Sequence, residues 1–234
     1  MPQEPRTGWE RVIAASIRLQ RLVPDSVLVG GSAAALHAGH RLSLDDDHVV
    51  RDLVERFDEV LEALEATDGW VTARVKRPVL ILGSLEGVET GIRQLIRQRP
   101  LEVEEIVTGA GNIRVPTLHE MARIKAWLVL QRNATRDYLD FAALADRLGS
   151  DAPATVIEMD DYYIDQRGPG GTRVATQVAK QLAEPAPYDL SEVDLQHYRG
   201  LLPRWQDWAE VLTVCRQVAV AVLAEVASQG EPRS

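Results

Sequence analysis

The chain has a single cysteine, Cys215, in 234 residues. No internal disulfide can form, so a reducing compartment is the simplest expectation. No apolar run approaches the length of a membrane span, and Met1-Pro2-Gln3-Glu4 lacks a basic-then-apolar leader. A cytoplasmic protein without a membrane partner is therefore expected. Positive charge is also short: 26 Lys+Arg against 35 Asp+Glu leave a net charge of −9, which argues against a protein that coats nucleic acid non-specifically. Internal repeats and low-complexity tracts are missing too. What is present is ordinary globular material, 45% apolar, enough for one large domain or two small ones.

The charge is uneven. Between Trp70 and Arg136 there are 11 Lys/Arg and 6 Asp/Glu, while the rest carries 15 and 29. A basic middle inside an acidic chain points to a local anionic ligand.

Apolar spacing predicts a helix over 9–22, with Trp9, Val12, Ile13, Ile17 and Leu19 on one broad face. Val27-Leu28-Val29 reads as a short buried strand running into Gly30-Gly31-Ser32, and Ser32 can cap a short helix over 33–37. A second strand over 45–50 and a helix over 53–66 follow. The period then changes to short, often β-branched runs at 70–75, 79–82, 88–92, 101–107 and 113–115, with Gly83, Gly87 and the Gly109–Asn112 cluster as turns. From Thr117 onward the pattern is helical, over 117–132, 136–148, 171–183 and 204–228, with a loop at Gly168-Pro169-Gly170-Gly171. The expected fold is α+β: an N-terminal mixed sheet with flanking helices over 1–116, then a helical C-terminal region over 117–234.

The informative stretch is Val27-Leu28-Val29-Gly30-Gly31-Ser32, followed thirteen residues on from Ser32 by Asp45-Asp46-Asp47. Two glycines let backbone approach a phosphate, a helix N-terminus offers unpaired N–H groups, and the Ser32 hydroxyl adds a donor. Strand alternation puts the Asp45 and Asp47 carboxylates on one face and Asp46 on the other. Two hard oxygen ligands beside a phosphate cradle suit Mg²⁺, and three adjacent acids repel one another and are costly in a strand unless a cation neutralises them. Further on, Lys125 and Arg132 are two helical turns apart, a cationic pair able to hold phosphate oxygens. They precede Arg136-Asp137-Tyr138-Leu139-Asp140. His40 and Arg41 lie in the loop before the acidic triplet, within reach of a phosphate there. Tyr162, Tyr163, Trp205 and Trp208 read as core aromatics.

Together these motifs resemble the AbiEii-type nucleotidyltransferase toxin family of the DNA polymerase β-like superfamily. The resemblance is carried by Gly30–His37, by His40–Asp47 and by Lys125…Arg132…Arg136–Asp140, over roughly residues 25–148. It implies that Gly30, Gly31 and Ser32 hold a nucleoside triphosphate, helped by Lys125 and Arg132. It implies that Asp45 and Asp47 bind Mg²⁺, and that Asp137 completes the site from the helical region. A third carboxylate belongs on a neighbouring strand, with Glu89 as the candidate and Glu86 as the fallback. The implied reaction moves a nucleoside monophosphate from the triphosphate to an acceptor hydroxyl, on RNA and particularly a tRNA end, in a toxin–antitoxin setting with a cognate antitoxin as partner. The alternatives are nucleotidylation of a protein or small molecule, and a silent protein that binds a nucleotide or partner without turnover. Two positions depart from the family pattern: His48, where an apolar residue is usual, and Asn133-Ala134-Thr135, a less basic linker.

Overall fold

The computed structural model describes residues 8–167 and 171–230; the N-terminal residues 1–4 and the glycine-proline loop at 168–170 lie outside them. The described chain is α+β. It forms two compact units: one runs through Leu36 and resumes over Leu42–Thr117, the other takes His37–Arg41 and everything from Leu118 on.

The first unit is built on a five-stranded mixed sheet in the order β1-β2-β5-β4-β3, from β1 (Val27–Leu28), β2 (Asp46–Val50), β3 (Trp70–Lys76), β4 (Leu80–Leu85) and β5 (Val88–Gln94). β2 and β5 run parallel, with Asp47 opposite Gly91, and the other neighbours are antiparallel. One face of the sheet is covered by α1 (Gly8–Leu22) and α3 (Leu53–Glu65). Leu53, Phe57, Val60, Leu61 and Leu64 recur at helical spacing along α3, and they meet Leu19 and Val23 together with Trp70, Ile81, Leu85 and Ile92 from the strands. A separate two-stranded ribbon, β6 (Val103–Thr108) with β7 (Gly111–Pro116), completes this unit.

The β4–β5 hairpin turns at Glu86 and Gly87, both with positive φ (53° and 77°), as a two-residue loop matched to strand twist requires. Gly83, expected at a turn, lies instead inside β4. The reason is contact: a Cβ there would sit 2.6 Å from both the Trp70 ring and the Val71 carbonyl oxygen. The strand keeps a glycine so that the tryptophan can lie across it, its Nε1 donating to Thr72 Oγ1 at 2.9 Å.

α2 (Gly30–Ala38) starts in the first unit and ends in the second. The second unit is helical: α4 (Leu118–Arg132), α5 (Thr135–Leu148), the short α6 (Ala152–Ile157) and α7 (Met159–Tyr162), α8 (Val174–Ala183) and α9 (Trp208–Gly230). Tyr163 stacks on Trp127 with centroids 4.8 Å apart, and Tyr138 meets Trp208 edge-on. Asn133, at φ 50°, turns the chain between α4 and α5; its side-chain oxygen accepts from Tyr138 and Gln181 and its amide donates to Ala186. That linker is a hydrogen-bonded corner, which a basic residue could not reproduce. Cys215 is buried, and burial pushes its thiol up to about 12, so it packs as an apolar group.

One expectation is corrected here. Within Trp208–Ser228 of α9 an 18-residue window has a mean hydropathy of 1.6, so this helix is long and apolar enough to cross a membrane by length and composition; 33% of that window is buried against the rest of the chain.

Gly83→Ala is expected to cost about 1–3 kcal/mol of stability through overpacking against Trp70 and the β3 backbone. A urea melt of the variant checks this, and an unchanged midpoint would show that the tryptophan packing is not what keeps the glycine.

Candidate functional site

Three adjacent aspartates divide by what surrounds them. Asp46 opens β2 with its side chain inward and buried. Its Oδ1 accepts from Ser16 Oγ at 2.5 Å and lies 2.8 Å from His48 Nε2, while its Oδ2 accepts from Thr90 Oγ1 at 3.2 Å. Alternation therefore turns Asp47 to the opposite face. Asp45 sits one residue before the strand and is exposed, and its carboxylate has no hydrogen bond or ion pair among the described residues. His48 is explained by the same cluster. It continues the strand, buried, as a partner of Asp46.

Glycines clear the space around Asp47. Val29 N–H donates to the Asp47 carbonyl at 2.8 Å, which brings the Gly30 turn alongside, with Gly30 at φ 74° and its missing Cβ 3.4 Å from Asp47 Oδ2. On the other side a Cβ on Gly91 would lie 2.8 Å from Asp47 Oδ1 and 3.1 Å from Leu82. Asp47 is half-buried, and Arg93 Nη2 stands 3.6 Å from its Oδ1. Gly30 and Gly31 start α2, whose first N–H groups have no partner within the helix. Ser32 is buried, and its hydroxyl donates to the Asp45 carbonyl at 2.6 Å. In this conformation the hydroxyl positions the carboxylate loop rather than facing a ligand.

Glu89 is exposed, on the face of β5 opposite Thr90. Glu86 is the hairpin turn residue and is paired with Arg18. No group of three His, Cys, Asp or Glu able to hold a metal occurs among the described residues. The donors that fit Mg²⁺ are thus two: the free Asp45 carboxylate and Asp47, cleared by glycine on two sides. One or two carboxylates are what this ion ordinarily takes from a protein, the rest of its shell coming from phosphate oxygens and water.

The second unit holds a different arrangement. Asp140 on α5 is fully buried and meets four donors: His40 Nε2 and Arg41 Nε at Oδ1, both 2.7 Å, and Arg41 Nη2 (2.9 Å) and Lys125 Nζ (2.7 Å) at Oδ2. Burial alone would raise its pKa. The Lys125 and Arg41 charges and the His40 and Arg41 hydrogen bonds outweigh that and hold the carboxyl well below the usual range. Lys125, nearly buried, also lies 3.4 Å from Asp137 Oδ1, while Asp137 Oδ2 and His40 Nδ1 are buried without a hydrogen-bond partner. Arg132 does not join this cluster; it is exposed at the last residue of α4.

Of the residues expected from sequence, Gly30, Gly31, Ser32, Asp45, Asp47 and Glu89 lie in the first unit, and Lys125, Arg132 and Asp137 in the second. Lys125 and Asp137 are brought together. Sequence reasoning gave no role to Asp140, Arg93 or Gly91. Asp140 had a signal: it follows Asp137 by three residues on a helix, one turn further on. Gly91, a glycine inside a β-branched run, marks close approach. Arg93 had none beyond its charge.

No protein-family profile matches the chain. It is similar to the heme uptake protein MmpL11 of Mycobacterium tuberculosis, 29% identical over 245 residues, covering 94% of this chain and 23% of that protein. The chain thus spans about a quarter of the length of the curated relatives it matches. Among solved structures it resembles MenT4, a nucleotidyltransferase toxin of Mycobacterium tuberculosis, with a TM-score of 0.51, 18% identity, and coverage of 93% of this chain and 86% of that one. It also resembles ANT(2″)-Ia in complex with adenylyl-2″-tobramycin, with a TM-score of 0.50, 11% identity, and coverage of 66% and 97%. The fold is therefore nucleotidyltransferase-like.

Asp140→Asn leaves Lys125 and Arg41 buried without their shared counter-charge, and is expected to cost about 3–5 kcal/mol at neutral pH. Because the folded pKa is depressed, the contribution of Asp140 is complete above the unfolded value near 3.8 and is lost as pH falls through the lower folded value. Urea melts of both proteins should show a constant gap down to about pH 4 and converge only below it. Convergence already between neutrality and pH 5 would mean that another group sets the difference.

Proposed function

We propose that this chain is a Mg²⁺-dependent nucleotidyltransferase that moves a nucleoside monophosphate from a triphosphate to a hydroxyl of RNA, a tRNA end in particular. In this reading it acts in the cytoplasm as the toxin of a toxin–antitoxin pair. The observation that carries the proposal is the division of Asp45-Asp46-Asp47: the middle carboxylate is consumed inside the sheet, while Asp45 is left without a partner among the described residues and Asp47, beside the Gly30 turn, meets only Arg93 at 3.6 Å. Burying one acid with three polar partners while two neighbouring acids face outward, with one arginine beside Asp47, leaves residual self-repulsion that a bound cation would relieve. The likeness to MenT4 in fold supports the toxin reading.

Asp45 and Asp47 would hold the metal, which when bound neutralises phosphate oxygens and stabilises charge in an in-line displacement. The α2 N-terminus at Gly30 and Gly31 supplies N–H groups to the triphosphate. Ser32 holds the Asp45 backbone, and Gly91 keeps room for the Asp47 carboxylate. Glu89 is the nearest exposed carboxylate on β5 for the incoming hydroxyl. Within the helical unit, Lys125 already carries two carboxylates, Asp137 and Asp140.

One observation favours a second reading, binding without turnover: Arg93 stands where a cation already faces Asp47. The decisive measurement is incubation with Mg²⁺, each α-labelled triphosphate in turn and total tRNA, with Asp45→Ala/Asp47→Ala alongside. Label entering RNA with the wild type alone is the expected result, and it identifies the base. Label on protein or on a small acceptor moves the function to that acceptor. Bound triphosphate with no transfer selects the silent reading. Gly91→Ala should cut turnover by about a hundredfold, because it displaces a metal-binding carboxylate by a fraction of an ångström or more. A variant with wild-type turnover would remove Asp47 from the reaction.

A further inference from the structure

The uncovered face of the five-stranded sheet is ordered in rows. Directly opposed residues share a face, so the register gives one row of Asp47, Gly91, Leu82 and Arg74 across β2, β5, β4 and β3. The next row is Arg93, Leu80 and Lys76, and before both comes Glu89, Ser84 and Val71. Contacts agree: the space a Cβ would take at Gly91 is bounded by Asp47, Leu82 and Arg93 together. The face thus carries Asp47 and Glu89 on β2 and β5, Arg93 on β5 beside Asp47, and two further cations, Arg74 and Lys76, at the β3 edge.

A bulge creates this pattern. The β3–β4 register shifts between Thr72 and Arg74, so that Thr72 faces Gly83 but Arg74 faces Leu82. Without the shift in register, Ala73 would oppose Leu82, and Arg74 would oppose Ile81 on the core side. The bulge re-aims Arg74, and Lys76 with it, onto the open face. Arg74 and Lys76 are exposed and have no ion pair or hydrogen-bond partner for their charge among the described residues. Arg18, Arg56 and Arg77 of the same unit are each paired with acids. Between the cations and the carboxylates lie half-buried Leu80 and Leu82, with exposed Val71 beside them.

We infer that this face is the path of a single-stranded RNA acceptor: phosphates meet Arg93, Lys76 and Arg74, sugars and bases lie on Leu80, Leu82 and Val71, and the strand end reaches Asp47. The inference rests on the proposed transfer to RNA. It goes beyond it by assigning the surface that selects a polymer. Arg74 is three strand spacings from Asp47, about 14 Å, a span that successive phosphates of a polymer cover and a small acceptor does not.

The test uses the full chain and a single-stranded RNA oligonucleotide, with binding followed by fluorescence anisotropy over a salt series and triphosphate binding measured separately. Arg74→Glu/Lys76→Glu should weaken RNA binding by about tenfold or more and flatten the salt slope by about 1.4, the loss of two phosphate contacts on a single strand. Triphosphate binding should stay unchanged. Arg21→Glu, the same reversal on α1, should leave RNA binding nearly untouched. Equal affinity and slope in the double variant overturn the inference, as does an Arg21→Glu effect as large per charge. RNA bound through Arg74 and Lys76 with no nucleotide transferred by the wild type would sustain this surface and remove the proposed function. Transfer to RNA that survives the double reversal at sub-saturating RNA would do the opposite.

Discussion

Everything the first unit offers to a ligand depends on one buried carboxylate. Asp46 is held from three directions, by a serine of α1, a histidine two residues along its own strand and a threonine of the parallel neighbour. A buried charge of this kind persists only when its lone pairs are satisfied, so the three partners fix which way β2 faces. Strands have a period of two, and a slip by one residue would exchange inner and outer acids. The polar cluster thus acts as a register pin whose outward consequence is the presentation of Asp45 and Asp47. The surrounding apolar residues supply stability to the sheet, but none of them could set that orientation so strictly.

The two units treat charge in opposite ways. In the first, Asp45 is left without a partner among the described residues, Asp47 meets a single arginine, and glycine clears the space beside it. In the second, Asp140 gathers His40, Arg41 and Lys125, and its negative charge is more than balanced. Such a cluster is expensive to desolvate and is held only by near-complete hydrogen bonding; the one buried oxygen left over belongs to Asp137. His40 and Arg41 join it from a stretch only a few residues before Asp45 in the chain; within the first unit, Ser32 holds the Asp45 carbonyl.

Much of this was legible in the sequence, for local reasons. The helix at α3 and the turn at Gly87 follow from short-range propensity and periodicity, and the mixed sheet from the succession of strands; Ser32, expected to cap a helix over 33–37, lies inside α2, which begins at Gly30. What escaped depends on partners distant in sequence. Asp46 could be read as the odd member of an acidic triplet, yet nothing local named Ser16 or Thr90 as its partners. Gly83 looked like punctuation because the tryptophan that requires it lies on another strand. Ser32 looked like a phosphate donor because its acceptor, the Asp45 carbonyl, becomes a neighbour only after the intervening loop folds back. The shift in β3 is invisible before pairing, since a bulge is a relation between two strands and not a property of one.

The pairing of β2 with β5 has a further consequence, for the time course of folding. It is the parallel pair of the sheet, and α3, β3 and β4 all lie between its two strands in the chain. The meander β3–β4–β5 closes through short loops, whereas bringing β2 alongside β5 must first overcome the entropy of a long closure. Asp47 meets Gly91 only once that closure has been made. A chain still emerging, or one trapped with the meander formed and β2 undocked, carries every residue of the motif and no site.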